Sequence, residues 1–365
     1  MDEKIDLTGP VEISADTYWV GQREKTLLER NIYLRVFKNK GGNVNLLIDP
    51  GPPNDLVALT QKVTKVIGNI KSVNMIFLNH QDPDVCYNAG YLQKLNPNIY
   101  VICSEDTWRL VHFYGLNAKK HRATENFKGM RASLQGGQII SFVPSPFCHF
   151  RGAVMLYDNE SRILFTGDLF GGLSYTEDLY ADERYWEGMK TFHQIYMPTH
   201  DAIKLAIRNI RELDPPPLMI APQHGSIITG KWVDYYLDML EKVPVGLNLL
   251  LESQLKDNYI AALNELLLEL SAVLGKEKVA QGMKVFQNDG SFPGLITADA
   301  GGVRDLKVEP QAALETMINH FFRAFSDLQP VIEVAVVKVL LGRNIPLPEA
   351  MVGGGTDSPE FFEVE

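Results

Sequence analysis

The sequence predicts an α/β fold for residues 1–240, followed by a helix-rich C-terminal region of α or α+β type over 241–352. Three observations predict it. Short apolar runs bounded by Pro, Gly, Asp or His alternate with helically spaced segments as far as about residue 225. Beyond the stretch EKVPVG the texture changes to long amphipathic segments. The length of 365 residues also exceeds what one compact core usually takes, so two domains are expected.

Taken in order, VNLLIDPG (44–51) reads as a buried strand stopped by Pro and Gly, and DLVALTQKVTKVIGNI (55–70) as a helix. VNMIFLNH (73–80) is a second apolar strand, and NIYVICSED (98–106) is a strand running into a capped helix. QIISFVPSPFCHF (138–150) precedes a hairpin of AVMLYD and RILFTGD joined through NESR. One long helix is expected around 187–213, then the strand in PLMIAPQHGS (217–226). In the C-terminal region, residues 255–275, 308–328 and 330–342 read as helices flanking a turn-rich stretch with a short strand. Residues 353–365 form a Gly-rich acidic tail expected to be disordered.

Composition removes several classes of function. Apolar content of 45% and charged content of 22% are ordinary for a globular protein. A net charge of −10 without a Lys/Arg cluster speaks against nucleic-acid binding. No apolar run approaches membrane-spanning length, and MDEKIDLTGPVEIS carries no signal-peptide core, so a cytoplasmic protein is expected. Cys86, Cys103 and Cys148 contain no CxxC spacing, which removes rubredoxin-type and zinc-ribbon sites.

The chemistry concentrates in LNHQDPDVCYN (78–88). His80, Asp82 and Asp84 alternate, and Pro83 holds Asp82 extended, so all three are expected to point one way. Asp168 in FTGD, His149 in FCHF and His224 in APQHG each follow an apolar strand or open a loop. Singly, each has a mundane reading: turn former, helix cap, or loop histidine bonded to backbone. Together, their order along an alternating strand–helix pattern supplies nitrogen and oxygen donors on a rigid frame, which suits iron, manganese or zinc.

With IDPG (48–51), HQDPDV, FCHF, FTGDLFG and IAPQHG in this order, residues 10–230 resemble the metallo-β-lactamase superfamily, and within it the di-iron branch. ERNIYLRVF (29–37) is similar to the strand that begins that family's first sheet. The resemblance implies an αββα sandwich. It implies one metal on His80, Asp82 and His149, a second on Asp84 and His224, and Asp168 bridging both. Two irons are the expected cofactor, with manganese or zinc as alternatives and no flavin. HQDPDV departs from the family twice: Asp82 is shorter than the usual glutamate, and Val85 replaces a further histidine.

Among other candidates, His193 and His200 read as residues that could support the ligands, His121 as an exposed residue, and His112 and His320 as surface or core residues of helices. Cys148 reads as a small buried hydrophobe, and Tyr175 and Glu177 as residues that could line the site. The hydrolase motif HxHxDH is absent, and no phosphate loop or cysteine pair marks an internal electron donor. The resemblance therefore implies an O2- or NO-binding di-iron sensor or carrier, expected as a homodimer, with a signalling partner reached through the C-terminal region. An O2/NO reductase with an external donor is one alternative; a hydrolase is the other.

Overall fold

The computed structural model describes residues 5–173, 178–287, 295–299, 301–343, 345–348 and 351, without the side chains of 250–254. The chain forms two compact units, Met1–Leu249 and Leu250–Glu365.

The first unit begins with a seven-stranded sheet in which sequence order is spatial order. Its strands are β1 (Val11–Ser14), β2 (Thr17–Trp19), β3 (Tyr33–Phe37), β4 (Val44–Ile48), β5 (Met75–Phe77), β6 (Tyr100–Cys103) and β7 (His121–Ala123). ERNIYLRVF therefore supplies the third strand, not the first, because a short hairpin pairs ahead of it. Pairing is antiparallel up to β4 and parallel from β4 to β7. The parallel steps need crossovers, which are α1 (Leu56–Ile67), α2 (Pro83–Leu95) and α3 (Glu105–Val111).

A second sheet contains β8 (Arg131–Ser133), β9 (Ile139–Pro144), β10 (Val154–Asp158), β11 (Ile163–Gly167), β12 (Met219–Pro222) and β13 (Ile228–Thr229). It runs β13-β12-β11-β10-β9-β8, and only β11 and β12 are parallel. Their connection holds α4 (Tyr185–Tyr196) and α5 (His200–Arg211); α6 (Lys231–Leu240) follows β13. The single helix expected at 187–213 is thus two. Pro198 forces Met197 out of helical geometry (φ −82°, ψ 130°), and Thr199 restarts the helix by accepting the Ala202 N–H.

Three apolar layers make this an αββα sandwich. Between the sheets lie Trp19, Tyr33, Ile48 and Phe77 from one side and Phe142, Leu156, Phe165 and Ala221 from the other. The Tyr33 and Phe165 rings meet at 5.3 Å. Outside the first sheet Leu59, Val63, Val85, Ala89 and Val111 bury the helices, and outside the second Met189, Phe192, Ile203, Ile207 and Tyr236 do so. One buried ion pair, Arg35 Nε to Asp158 Oδ2 at 2.7 Å, ties β3 to β10 across the sandwich.

The second unit holds most of α7 (Leu247–Leu274), then α8 (Lys276–Gln287), the antiparallel hairpin β14 (Ile296–Asp299) and β15 (Gly302–Leu306), α9 (Pro310–Ala324) and α10 (Gln329–Gly342). Leu263, Leu266, Leu270, Met317, Phe321 and Val336 form its core. No helix among the described residues is long and apolar enough to cross a membrane. The tail 353–365 lies outside the described residues.

Candidate metal centre

Four loops at strand ends bring the six expected donors together. β5 delivers His80 and Asp82. Asp82 stays extended (φ −64°, ψ 144°), as Pro83 requires, but Pro83 is itself the first residue of α2. Asp84 therefore projects from the first helical turn, not from an alternating strand, and it faces a different histidine than Asp82 does. The loop after β9 carries His149, the end of β11 carries Asp168 and the end of β12 carries His224.

Asp168 lies at the middle of the group. Its Oδ2 is 3.1 Å from His149 Nε2, while its Oδ1 is 3.6 Å from His80 Nε2 and 3.8 Å from His224 Nε2. Asp82 Oδ2 is 3.1 Å from His149 Nε2 and 3.6 Å from His80 Nε2. Asp84 Oδ2 is 3.4 Å from His224 Nε2. Donor atoms of His80, His149 and Asp168 all lie within 4.8 Å of one another, close enough to share one metal ion. The Asp84–Asp168–His224 side is looser.

Hydrogen bonds orient these side chains. His80 Nδ1 meets Asn79 Oδ1 at 3.0 Å; if Nδ1 carries the proton, Nε2 is left bare toward the cleft. Asn79 is held in turn: its N–H donates to Asp49 Oδ1 at 2.8 Å, and its amide donates to Val154 O at 2.7 Å. Burial pushes the Asp49 carboxyl up to about 7. Gln81 donates to Asp82 Oδ1 at 2.6 Å, and Gln223 donates to the Asp84 carbonyl at 3.1 Å. His224 Nδ1 faces Glu29 O at 3.3 Å.

The Asp168 loop is fixed by bonds from three sides. Thr166 Oγ1 donates to Leu169 O at 2.5 Å, Tyr185 OH donates to Phe170 O at 2.9 Å, and the Phe170 N–H donates to His193 Nε2 at 3.1 Å. Burial drives His193 down to about 4, so it is neutral and able to accept. His193 supports the loop that carries Asp168 and hands nothing to a ligating imidazole; His200 bonds Glu241 O instead. The partners that do face the imidazoles, Asn79 and the Glu29 carbonyl, were not foreseen. Asn79 carried a signal, standing directly before His80; a backbone carbonyl carries none.

His121 is half-buried rather than fully exposed, its ring stacked on Trp108 at 4.2 Å. Cys148 is fully buried with its thiol pushed up to about 12 by burial, so it packs as a hydrophobe. Tyr175 and Glu177 lie outside the described residues.

The charge state of the cleft follows from its composition. Burial disfavours the His149 imidazolium, but Asp168 and Asp82 outweigh it and push His149 up to about 10. His80 is likewise raised against burial, by Asp168 and Asp82. Burial opposes ionisation of Asp168, yet His80, His149 and His224 hold it down to about 2. Asp82 is well below the usual carboxylate range and Asp84 is lowered. A group so organised has one feature protons do not satisfy: His80 Nε2 and Asp168 Oδ1 are buried with no hydrogen-bond partner. Three imidazole nitrogens and three carboxylates around two orphaned atoms fit hard-to-borderline metal ions such as iron or manganese.

The profile of the family described as ODP family beta lactamase matches residues 28–225, more than half of the chain. This chain belongs to the ODP family. The matched span opens just before β3 and closes one residue after His224, so all six candidate donors lie inside it. Among solved structures, the apo state of the chemotaxis sensor ODP from T. denticola has a TM-score of 0.54 and 25% identity, covering 66% of this chain and 95% of that one. A structure described as a peroxy di-iron species of the chemotaxis sensor ODP has a TM-score of 0.54 at 23% identity, over 66% and 97%. A flavo di-iron protein variant from Thermotoga maritima has a TM-score of 0.54 at 22% identity, over 63% and 60%. The anaerobic nitric oxide reductase flavorubredoxin of Aeromonas salmonicida is 22% identical, over 62% of this chain. This ODP-family chain spans about half the length of the curated relatives it matches, 47% in that case. The family match and these likenesses establish the metallo-β-lactamase-type sandwich.

Proposed function

We propose that this chain is a non-haem di-iron protein that binds O2, or NO, and serves as an oxygen sensor or carrier. The observation that carries this is the position of Asp168, one carboxylate turned toward three imidazoles, with its own Oδ1 and His80 Nε2 buried and without a hydrogen-bond partner. His80, Asp82 and His149 would hold one iron, Asp84 and His224 the other, and Asp168 both. Bound iron would supply the redox chemistry and the open coordination position that a diatomic ligand requires. The chain's own residues do the rest. Asn79 orients His80, the His193-anchored loop holds Asp168, and Val85, fully buried and aliphatic, offers no donor beside Asp84.

Two supports favour binding over turnover. The likeness to the chemotaxis sensor extends over nearly the whole of that protein. The second unit, among its described residues, packs four helices with one antiparallel hairpin, unlike the parallel sheet on which flavodoxin-type folds bind a mononucleotide. Electrons for a reductase would then come from outside these two units. The flavorubredoxin likeness keeps that second reading in play. We assign the second unit to dimerisation or to contact with a signalling partner, which light scattering and truncation after residue 249 would test.

The deciding experiment is anaerobic iron loading with metal analysis, then exposure to air, and separately to NO, under an optical spectrometer. Two irons per chain and a visible band lasting minutes support a binding protein. Rapid bleaching would replace it with the reductase. Two zincs, no colour and hydrolysis of a model ester would replace both with a hydrolase.

A further inference from the structure

We infer that the side-chain oxygen of Gln223 is a donor to the second metal position, standing in for the imidazole that Val85 cannot supply; this rests on the two-metal reading above. Gln223 is 2% exposed. It bonds Asp84, adjoins His224 and is tied to the residue before Asp168. Its backbone N–H donates to Gly167 O at 2.8 Å, one residue before Asp168. Its chain neighbour is His224. Its side-chain Nε2 donates to the Asp84 carbonyl at 3.1 Å.

Hydrogen-bond chemistry fixes which way the amide faces. A carbonyl oxygen only accepts, so the end against Asp84 O must be the NH2. Oε1 is the remaining end of the amide; it is buried and no protein group donates to it. Folded proteins rarely leave such an atom without a partner. His80 Nε2 and Asp168 Oδ1, in the cleft itself, are likewise buried without a partner, as is Gln81 Oε1 beside Asp82. The looser side of the cleft, with Asp84, Asp168 and His224 alone, is the side short of a donor. A neutral amide oxygen suits iron(II) or manganese(II), and it binds more weakly than imidazole. The second ion would therefore be held, but labile.

The competing role is a prop: Gln223 would steady the start of α2 through Nε2 alone. Two substitutions separate them. Gln223→Glu keeps an oxygen donor and adds charge, but loses the NH2 that faces Asp84 O. Gln223→Leu loses both. Anaerobic manganese(II) titration of the apo full-length chain, read by calorimetry and by the electron paramagnetic resonance of free ion, gives the affinity of each equivalent. The expected result is a second equivalent bound about tenfold tighter or more in Q223E and about tenfold weaker or more in Q223L, with the first unchanged. Weakening in both variants would show a prop, and no change in either would show no role; each overturns the inference. His224→Ala is the control. If it loses the second equivalent while Q223L keeps it, only the Gln223 assignment falls; if it keeps both equivalents, the two-metal reading falls instead. Q223E is nearly isosteric, so it decides the matter even if Q223L fails to fold.

Discussion

The Asp168 carboxylate meets the His149 imidazole at 3.1 Å through one oxygen and turns the other, buried and unbonded, between His80 and His224. One side chain thus joins two histidines that share Asp82 to a third that faces Asp84. That is what two metal positions sharing a single bridge require.

Asp168→Asn tests the bridge at nearly constant shape. Charge is lost while volume is kept, so the fold should survive with a melting temperature within a few degrees of the parent, whereas iron per chain should drop from two toward zero. Metal analysis beside a far-UV melt reads both. Retention of two irons would remove Asp168 from the ligand set, and His80→Ala should give the same loss.

The apo-protein should show a defined pH dependence. His149 is raised from 6.5 to about 10, so its contribution to stability is complete below pH 6.5 and is lost as pH climbs through 10. Asp168 is lowered from 3.8 to about 2, so its contribution is complete above pH 3.8 and is lost as pH falls through 2. From this cluster the apo-protein gains most between about pH 4 and 6.5, and His149→Ala should flatten the alkaline decline. Metal must displace the His149 proton, so loading at pH 7 should release protons and tighten as pH rises. A pH-stat titration with no proton release would contradict the assignment.

Gly167→Ala should act at a distance through Asn79. Gly167 has φ +61°, and a Cβ there would overlap the Asn79 amide that orients His80. The left-handed backbone alone costs a residue such as Ala about 1–2 kcal/mol. Displacing Asn79 adds to this and should weaken the first metal position about 10-fold or more. Chemical denaturation and metal titration of the variant give the two numbers; normal affinity with lowered stability would mean that Asn79 does not govern His80.

Val85→His tests the place where this chain departs from the common pattern. Val85 is fully buried, so a larger ring should cost about 1–3 kcal/mol in the apo-protein. If Val85 faces the cleft, the second metal should tighten and ligand binding there should slow. Unchanged metal affinity and kinetics would place Val85 in the helix-packing core alone.

The sequence by itself determined the alternation of strands and helices, because apolar periodicity and Pro/Gly punctuation are local properties. It also determined the six candidate donors, because each stands where an apolar strand runs out. Pro83 made Asp82 extended on local grounds, and Pro198 could have revealed the break between α4 and α5 on the same grounds. What only the tertiary structure decided was which donor faces which. Asp84 reaches His224 because α2 starts at Pro83 and β12 lies parallel to β11, a relation between segments over 130 residues apart. The support of Asn79 for His80, the Glu29 carbonyl behind His224 and the orphaned oxygen of Gln223 have the same origin. Hydrogen bonds to backbone carbonyls, and the absence of any bond at all, leave no mark on residue type. They exist only once the two sheets have packed.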